Sequence, residues 1–280
     1  PPVIHNRTMP KAARLRNKLR LLGIRSIVYN RKTRYSKYFI YKLLWNNIAL
    51  RPHIPFTKVL SKSSLALMMN NYRMLYVKPA SGSIGKGVVK LMEQNGHWVM
   101  QTPAAKRRIV KHSAYTRLKR LTKGRTYIVQ EGIHLASYKG RPFDLRVSVQ
   151  KSGSGKWQIT GIVGKVAGSG KHVTNIARGG TAKQFKFLCR ANGWNTAVMK
   201  QTVSRLSLNI ATYLDRRLPN LADIGLDIGI DYSGKPFFIE MNGKDQRYSF
   251  KEANMNAAWF KTYENPIRYG KYLTRNTFRA

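Results

Sequence analysis

Positive charge dominates this chain and limits how it can fold. Lysine and arginine number 52 against 11 aspartates and glutamates, so the formal net charge is +41. A charge this large repels itself and destabilises a compact state unless anions lie nearby. The basic residues run along the whole chain, so we expect contact with nucleic acid, an anionic membrane, a cell-wall polymer or an acidic peptide. A solvated basic surface without such a partner is the alternative.

The chain can nevertheless bury a sizeable core. Hydrophobic residues make up 42%, and 15 tyrosines, 10 phenylalanines and 5 tryptophans argue against disorder. Cys189 is the one cysteine, which excludes an internal disulfide, and its apolar neighbours predict a buried side chain. No segment approaches the ~20 apolar residues of a membrane span. No signal peptide opens the chain, so we expect a cytoplasmic protein.

Periodicity predicts an α+β fold with mostly antiparallel strands. Helical spacing predicts helices over 36–48, 64–72, 113–121, 196–218 and 11–22, the last capped by Gly23. Alternating or continuous apolar runs predict strands at 24–29, 74–77, 87–92, 97–101, 126–130, 144–150, 157–166, 224–230 and 236–241. Asn95-Gly96 predicts a hairpin turn. The order of elements lacks the regular strand–helix alternation of a parallel sheet.

A lysine at the end of a predicted strand introduces a loop rich in glycine and serine. Residues 78–87 read Lys-Pro-Ala-Ser-Gly-Ser-Ile-Gly-Lys-Gly. Glycines let backbone N–H groups approach phosphate oxygens, and lysine neutralises phosphate charge. A Walker loop is excluded, because that motif needs Gly-Lys-Ser/Thr followed by a helix and here a strand follows. The segment predicts a phosphate-binding loop, with an ordinary β-hairpin turn as the alternative.

Oxygen-bearing side chains gather on the last two predicted strands. Asp227 lies on one strand, and Glu240 and Asn242 lie on or just after the next. Adjacent strands would bring all three to one end of a sheet. Hard oxygen ligands of this kind suit Mg²⁺ held jointly with substrate phosphates. A strand-end cap or a local salt bridge is the alternative interpretation.

Three cations complete the candidate chemistry. Arg146 follows Asp144 on a predicted strand, Lys165 lies on the returning strand, and Arg178 belongs to the segment Asn-Ile-Ala-Arg-Gly-Gly that starts at Asn175. Such cations can stabilise a transferring phosphoryl group, which is mainly an electrostatic task. In a chain this rich in cations, membership of the general basic surface is the competing explanation.

Taken in this order, the three groups resemble the ATP-grasp superfamily, and most closely its YheC/YheD type from Gram-positive spore formers. The resemblance covers nearly the whole chain. It includes His-Asn-Arg at 5–7, Tyr-Asn-Arg at 29–31, Ser-Lys at 36–37, the loop at 78–87, Leu-Asp-Ile-Gly-Ile-Asp at 226–231 and Phe-Ile-Glu-Met-Asn at 238–242. The thirteen-residue step from Asp227 to Glu240 is also similar to that of the D-alanine–D-alanine ligases.

The resemblance implies a nucleotide site. Lys37 and Lys78 would hold the α- and β-phosphates of ATP. A mobile loop would cover them, with Ser81, Gly82, Ser83, Gly85, Lys86 and Gly87. Gln130, Glu131 and Gly132 would belong to the hinge that binds adenine through backbone groups.

The resemblance also implies catalytic and metal-binding roles. Arg146 resembles the arginine near the γ-phosphate and the acyl phosphate, where Lys165 and Arg178 could also stabilise charge. Asn175 and Arg178 resemble parts of the Asn-x-x-Arg-Gly-Gly motif of ribosomal-protein glutamate ligases. Mg²⁺ would be bound by Asp227, Glu240 and Asn242.

The fold implied is an ATP-grasp fold in three parts. A small N-terminal α/β lobe is expected at 1–60, a central lobe at 61–132, and a C-terminal lobe with the metal site at 133–280. The antiparallel sheets of the last two would sandwich ATP.

The function implied is an ATP-dependent carboxylate–amine ligase that works through an acyl phosphate. ATP and Mg²⁺ are the expected cofactors, and the charge predicts an acidic peptide or anionic polymer as substrate. The resemblance suggests association with spore-coat components. The alternatives are a catalytically inactive basic coat protein that has kept the fold, and a nucleic-acid or polyanion binder. No helix-turn-helix or RNP motif supports nucleic-acid binding.

Two departures from the family pattern bear on substrate and nucleotide. Ser36 stands where an aspartate often precedes the first lysine, and Gly-Lys-Asp-Gln-Arg at 243–247 replaces the usual Ser/Thr-x-Pro-Gly turn. That turn borders the acceptor site in the family, so the substrate cannot be transferred from better-known relatives. An acidic ribose-binding residue is also missing shortly after Gly132, which leaves the nucleotide preference open.

Overall fold

The computed structural model describes residues 1–10, 12–82, 87–102, 104–170, 174 and 179–277. Its strands are β1 (Val3–His5), β2 (Ile27–Tyr29), β3 (Thr57–Val59), β4 (Met74–Pro79), β5 (Val89–Gln94), β6 (His97–Gln101), β7 (Lys106–Ile109), β8 (Tyr127–Glu131), β9 (Ser137–Tyr138), β10 (Arg141–Lys151), β11 (Trp157–Val166), β12 (Thr181–Gln184), β13 (Asp223–Ile230) and β14 (Pro236–Asn242). Its helices are α1 (Ala13–Arg25), α2 (Lys37–Trp45), α3 (Lys62–Asn71), α4 (Ala114–Thr122), α5 (Phe185–Ala191), α6 (Thr196–Asp215), α7 (Tyr248–Glu252) and α8 (Asn256–Thr277).

The larger hydrophobic core surrounds an antiparallel sheet in the C-terminal half. Its strand order is β12-β11-β10-β13-β14, and β9 pairs with one end of β10. Along β10, Leu145, Val147 and Val149 pack in the core that α5 and α6 share. On the other face, the Gln150 side chain donates to the backbone oxygen of Thr262 in α8. The sheet is therefore covered on both faces, and its polar face is turned towards α8 and the cleft described below.

A second antiparallel sheet forms the central part of the molecule. Its strand order is β3-β8-β4-β5-β6-β7. Val77 and Val129 pack with Leu65 of α3 and Leu118 of α4 in a separate hydrophobic core. Because side chains alternate across a strand, the neighbouring positions on β4 and β8 point to the opposite face. That face looks towards the C-terminal sheet.

The N-terminal segment contributes to several parts of the fold. β1 and β2 pair in parallel, and α1 beside them buries none of its residues. Ile40 and Leu44 of α2 belong to the core of the C-terminal sheet, whereas β3 joins the central sheet by pairing with β8. The three-part division at residues 60 and 132 stays a prediction.

Several local expectations are confirmed and others are wrong. The strands are mostly antiparallel, Asn95-Gly96 forms the turn between β5 and β6 with both residues at positive φ, and Cys189 is fully buried. Gly23 does not cap α1, because the helix continues to Arg25, and the strand predicted at 24–29 therefore begins only at Ile27. The elements β1, β3, β7, β9, β12, α5, α7 and α8 were not predicted. α8 has Pro266 inside it, a residue that normally breaks a helix. In the chain as described, every helix is too short or too polar to cross a membrane.

Asp223, buried at the start of β13, joins distant parts of the chain. Its Oδ2 lies 2.8 Å from Arg7 Nη1, 2.6 Å from Arg247 Nη2 and 3.3 Å from His5 Nε2. Its Oδ1 accepts a hydrogen bond of 2.8 Å from Gln150. Burial by itself raises the pKa of Asp223, but the hydrogen bond from His5 and the charges of Arg247 and Arg7 lower it to about 2. This carboxylate therefore holds β1 against the C-terminal sheet.

Replacing Asp223 with asparagine should weaken the acid sensitivity of the fold. The pKa is lower in the folded protein than in an unfolded chain, so the carboxylate stabilises the fold above about pH 4 and loses this effect as the pH falls towards 2. The difference is worth about 2 kcal/mol of unfolding free energy. Urea unfolding between about pH 5 and 3 should show a shallower pH dependence for Asp223→Asn than for the exposed control Glu252→Gln. Equal pH dependence in both variants would contradict this assignment.

Candidate active site

A narrow cleft separates the two sheets and is lined by residues from both. The lining is mainly apolar, with a few charged and amide groups, a composition typical of ligand sites. It consists of Tyr35, Lys37, Ile40, Tyr41, Ile54, Lys78, Ile128, Gln130, Phe238, Ile239, Glu240 and Met241. Two of the predicted lysines and one predicted metal ligand therefore lie in one cleft.

Lys78 is a buried cation without a carboxylate partner in the described residues. It is the second-to-last residue of β4, and its Nζ donates a hydrogen bond of 2.7 Å to Gln130 Oε1. The Gln130 amide in turn donates to Thr57 Oγ1 at 2.8 Å. Burial lowers the pKa of Lys78 to about 8, an effect that the charge of Glu240 offsets only in part. An anion placed beside this ammonium would stabilise its charged form.

Lys37 connects the glycine-rich segment with β14. Its backbone N–H donates to Ala80 O at 2.8 Å, where α2 begins. Its Nζ lies 2.8 Å from Gly82 O and 2.9 Å from Glu240 Oε1. Ser36 at the N-cap makes no capping hydrogen bond through its side chain. Although Ser36 replaces the aspartate that is common in the family, Lys37 still lines the cleft.

Asp227 is the centre of a buried ion cluster on the C-terminal sheet. Its Oδ1 lies 2.8 Å from Arg146 Nε and 3.1 Å from Lys165 Nζ. Lys165 Nζ is also 3.0 Å from Asp144 Oδ1, and Thr174 donates a hydrogen bond to the other oxygen of Asp144. Burial raises the pKa of an aspartate, but the charges of Arg146 and Lys165 lower that of Asp227 to about 2. The cluster therefore keeps Asp227 ionised and Arg146 oriented.

The predicted metal ligands lie on neighbouring strands. Asp227 pairs with Glu240 across the β13–β14 ladder, and Asn242 pairs with Gly225 two residues away. Among the described residues no group of three carboxylate, histidine or cysteine side chains is arranged around a metal position. Asp227 and Glu240 each use one oxygen in their ion pairs with Arg146, Lys165 and Lys37, and the buried amide nitrogen of Asn242 has no partner in the described chain. Two carboxylates and an amide are a donor set that suits Mg²⁺ shared with phosphates.

The turn after β14 supplies a residue that sequence patterns did not indicate. Asp245 is fully buried, and its Oδ1 lies 3.3 Å from Arg146 Nη1, so Arg146 is held by two carboxylates. Burial raises the pKa of Asp245, and the charge of Arg146 opposes this effect. A Cβ at Gly225 would lie 2.4 Å from Asp245 Oδ1, so only glycine admits this carboxylate. The unusual sequence of the turn at 243–247 was the one feature that pointed to Asp245. It could not show that Asp245 pairs with Arg146 of β10.

The glycine-rich segment is described only at its two ends. Ser81 and Gly82 are exposed. Gly87 has a φ of +78°, and a Cβ there would lie 2.6 Å from the Tyr127 hydroxyl, so a side chain is excluded. Ser83, Gly85 and Lys86 lie outside the described residues, as do Asn175 and Arg178 of the second motif. Their roles stay predictions.

The predicted hinge at 130–132 lies where β8 ends. Glu131 Oε2 accepts a hydrogen bond of 3.0 Å from the Phe56 N–H. Gly132 donates from its N–H to Met74 O at 2.8 Å, and a Cβ there would lie 2.5 Å from the Met74 side chain. The Glu131 carboxylate thus fixes the backbone of Phe56, the residue just before β3. Contact of this segment with a nucleotide stays a prediction.

Comparison with known proteins identifies the family. A family model described as YheC/D like ATP-grasp matches residues 26–273. The chain belongs to this ATP-grasp family. The resemblance stated from the sequence motifs is therefore confirmed.

Two curated relatives come from Bacillus subtilis (strain 168). The chain is 27% identical over 271 residues to the endospore coat-associated protein YheD, which covers 94% of this chain and 60% of YheD. It is 24% identical over 254 residues to the endospore coat-associated protein YheC, which covers 85% of this chain and 67% of YheC. This ATP-grasp chain therefore spans about 60% of the length of YheD.

Solved structures share the fold at low sequence identity. The VanG D-Ala:D-Ser ligase from Enterococcus faecalis has a TM-score of 0.58 and 12% identity, with 94% of this chain and 72% of that chain covered. The D-alanyl-alanine synthetase A from Vibrio cholerae has a TM-score of 0.57 and 13% identity, with 99% and 75% covered. The expected α+β, ATP-grasp fold, which is that of ATP-dependent ligases, is confirmed.

Replacing Gly225 with alanine should destabilise the fold and displace Asp245 from Arg146. The added Cβ would lie 2.4 Å from Asp245 Oδ1 and 3.2 Å from the Arg146 side chain, and both groups are buried. Overpacking of this kind costs about 1–3 kcal/mol. The matched control is Gly153→Ala, where the nearest neighbour lies 3.7 Å from the new Cβ. Urea unfolding should separate the two variants, and equal stability would show that Asp245 moves aside freely.

Proposed function

We propose that this protein is a carboxylate–amine ligase that uses Mg-ATP to activate a carboxylate as an acyl phosphate. The observation that supports this most directly is the convergence of Lys37, Lys78 and Glu240 on one cleft between two antiparallel sheets, with Asp227 opposite Glu240 on the neighbouring strand. Two cations there suit phosphates, and two carboxylates suit the accompanying metal. Membership of an ATP-grasp family supports the same assignment.

Lys37 and Lys78 would bind the α- and β-phosphates. Lys78 is buried beside Gln130 with no carboxylate in direct contact, so its charge is free to meet a phosphate oxygen. Lys37 would exchange its contact with Gly82 O for a phosphate contact when the segment 81–87 covers the nucleotide. The backbone of 130–132 would contact adenine at the far end of the cleft.

Asp227, Glu240 and Asn242 would hold magnesium. Magnesium bound by these residues would supply positive charge that offsets the charge of the phosphates. The residues themselves fix the geometry: Asp227 is held by Arg146 and Lys165, and Glu240 by Lys37. Because the three side chains lie on the paired strands β13 and β14, their relative positions are rigid.

The chemistry proposed needs no protein nucleophile. A carboxylate oxygen of the substrate would form a bond to the γ-phosphorus while the bond to the β-phosphate oxygen breaks and ADP leaves. An amine would then attack the acyl carbon, lose a proton and expel phosphate, leaving an amide. Arg146, Lys165 and Arg178 would stabilise the charge that develops on the transferred group. Positioning and electrostatics would supply most of the rate.

The charge and the relatives support a more specific setting for the reaction. A net charge of +41 favours an acidic peptide or anionic polymer as substrate. The relatives YheD and YheC are endospore coat-associated proteins, which supports association of this chain with a spore coat. Efficient turnover of short neutral substrates would contradict the substrate class.

A second candidate function is a basic coat protein that has kept the fold without catalysis. The observation in its favour is the same net charge, which suits adhesion to an anionic matrix or to nucleic acid. The ion cluster of Asp227, Arg146 and Lys165 argues for the ligase, since buried charges are costly to keep without a use.

Binding of ATP should require magnesium and the residues of β14. We expect the double variant Glu240→Gln, Asn242→Ala to lose magnesium-dependent binding in titration calorimetry, because two of three metal ligands are removed. Glu252→Gln, an exposed change in α7, is the matched control and should bind like the wild type. If ATP binds equally well with and without magnesium, and equally to the wild type and the double variant, the non-catalytic coat protein would be favoured.

Catalysis should appear as stoichiometric formation of ADP, phosphate and an amide. With bound ATP, a screen of carboxylates and amines analysed by mass spectrometry should reveal the product. Arg146→Lys should lower kcat by about a hundredfold or more, because a lysine cannot reproduce the fork that holds Asp227 and Asp245. ATP binding without turnover of any carboxylate would count against the ligase.

Nucleotide binding should also take up protons near pH 8. The pKa of Lys78 is about 8 in the free protein because of burial, and a phosphate would raise it. The affinity for ATP should therefore fall as the pH rises above about 8, since an extra proton must then be bound. Calorimetry in buffers of different ionisation enthalpy should detect the uptake in the wild type and not in Lys78→Met. An affinity that is constant to about pH 10 would contradict phosphate binding by Lys78.

A further inference from the structure

We propose that a cationic rim beside the cleft binds an acidic peptide substrate. The rim consists of Arg31, Lys32, Arg34 and Lys244, and it would contact those carboxylates of the peptide that do not take part in the reaction. The proposal rests on the ligase function proposed above and assigns the surface that selects its substrate. Three of these residues lie in the segment between β2 and α2, and Lys244 lies in the turn after β14.

The cations inside the site are already neutralised. Glu240 pairs with Lys37, and Asp227 and Asp245 pair with Arg146. The remaining pairs are Lys165 with Asp144 and Arg247 with Asp223. Lys78 has no such pair in the described chain, and it faces the proposed phosphates. The site thus has little spare charge for the rest of a polyanionic substrate.

The rim is different, because its cations have no carboxylate partner among the described residues. Lys32 and Arg34 are exposed, and Arg31 and Lys244 are half-buried. The ammonium of Lys32 lies 5.0 Å from the Tyr35 ring and 5.5 Å from the Phe39 ring, which orients it without neutralising it. The rim therefore offers uncompensated charge to an external anion.

The rim is attached directly to the turn that carries Asp245. A Cβ at Gly243 would lie 2.8 Å from Thr33 O, so the two backbones are in contact. Asn30 also donates to Gly243 O at 3.0 Å. Two residues later, Asp245 binds Arg146 in the ion cluster. A peptide with one carboxylate near Arg146 would therefore have neighbouring groups within reach of the rim.

The backbone of the rim is held before any ligand binds. Asn6 donates to Arg31 O at 3.1 Å, and Thr33 donates to Thr8 O at 2.8 Å. Asn30 and Thr33 are buried, so anchored residues alternate with the charged Lys32 and Arg34. A fixed backbone lowers the ordering cost of binding.

Carboxylates are the chemistry that this rim fits. The reaction proposed already requires a carboxylate in the cleft, and an acidic peptide presents further carboxylates at the spacing of its residues. Each exposed ion pair contributes at most about 1 kcal/mol, so several together are needed for useful affinity. Binding of this kind weakens steeply as salt is raised.

The test uses the full chain and a fluorescein-labelled decaglutamate peptide, with affinity measured by anisotropy over a range of salt concentrations. One variant changes the rim: Arg31→Gln, Lys32→Gln, Arg34→Gln and Lys244→Gln. The matched control removes four exposed charges from β7 and α4: Arg107→Gln, Arg108→Gln, Lys119→Gln and Arg120→Gln. Both variants lose the same net charge, and thermal unfolding checks that both remain folded. We expect the rim variant to bind at least tenfold more weakly with a shallower salt dependence, and the control to stay within twofold of the wild type.

Three outcomes would overturn the proposal. An equal loss in both variants would mean that net charge alone drives binding, and unchanged binding in the rim variant would exclude the rim. Tighter, rim-dependent binding of a fluorescein-labelled decathymidylate would assign the rim to phosphates instead of carboxylates. Calorimetry with Mg-ATP separates this proposal from the ligase function. The rim variant should bind ATP like the wild type. If the wild type binds no ATP, the ligase function is refuted, and the peptide-binding measurements still decide whether the rim binds carboxylates.

Discussion

Asp227 is shared by Arg146 and Lys165, and much of the site depends on this arrangement. The three residues come from β13, β10 and β11, where Arg146 is directly opposite Asp227 and Lys165 directly opposite Asp144 in the ladders. Buried charges are tolerated only when they are paired, so a one-residue slip of any of these strands would leave an uncompensated charge in the sheet. The ion cluster therefore specifies the register of the C-terminal sheet and orients the groups proposed for phosphoryl transfer.

The placement of the carboxylates explains how so basic a chain folds. Of the 11 acidic residues, five lie in the C-terminal sheet or the turn after it and each form an ion pair: Asp144, Asp223, Asp227, Glu240 and Asp245. They neutralise the cations that must be buried there. Most other lysines and arginines are exposed, where water screens their mutual repulsion. The excess charge is thus a property of the surface, and it is available for an anionic substrate or matrix.

Contacts of the lysines link the parts of the molecule across the cleft. Lys37 contacts Gly82 from the central part and Glu240 from β14, while Lys78 lies behind them on β4. A ligand that bound both lysines would therefore affect the glycine-rich segment and β14 together. Asp223 provides the corresponding link for β1, through Arg7 and His5. The residues proposed to bind nucleotide, metal and substrate are therefore each held to neighbouring elements by polar contacts.

Local sequence patterns were sufficient for the fold class and for the order of the site motifs. The alternation in β10 and the hairpin at Asn95 depend on neighbouring residues, and the resemblance to the ATP-grasp family rested on short motifs in a fixed order. The contacts of Asp245 with Arg146 and of Arg7 with Asp223 join residues 99 and 216 positions apart, so no local pattern contains them. The pKa of Lys78 likewise depends on burial between two sheets. Periodicity is a property of adjacent residues, whereas ion pairing and desolvation arise only once strand order and register bring distant residues together.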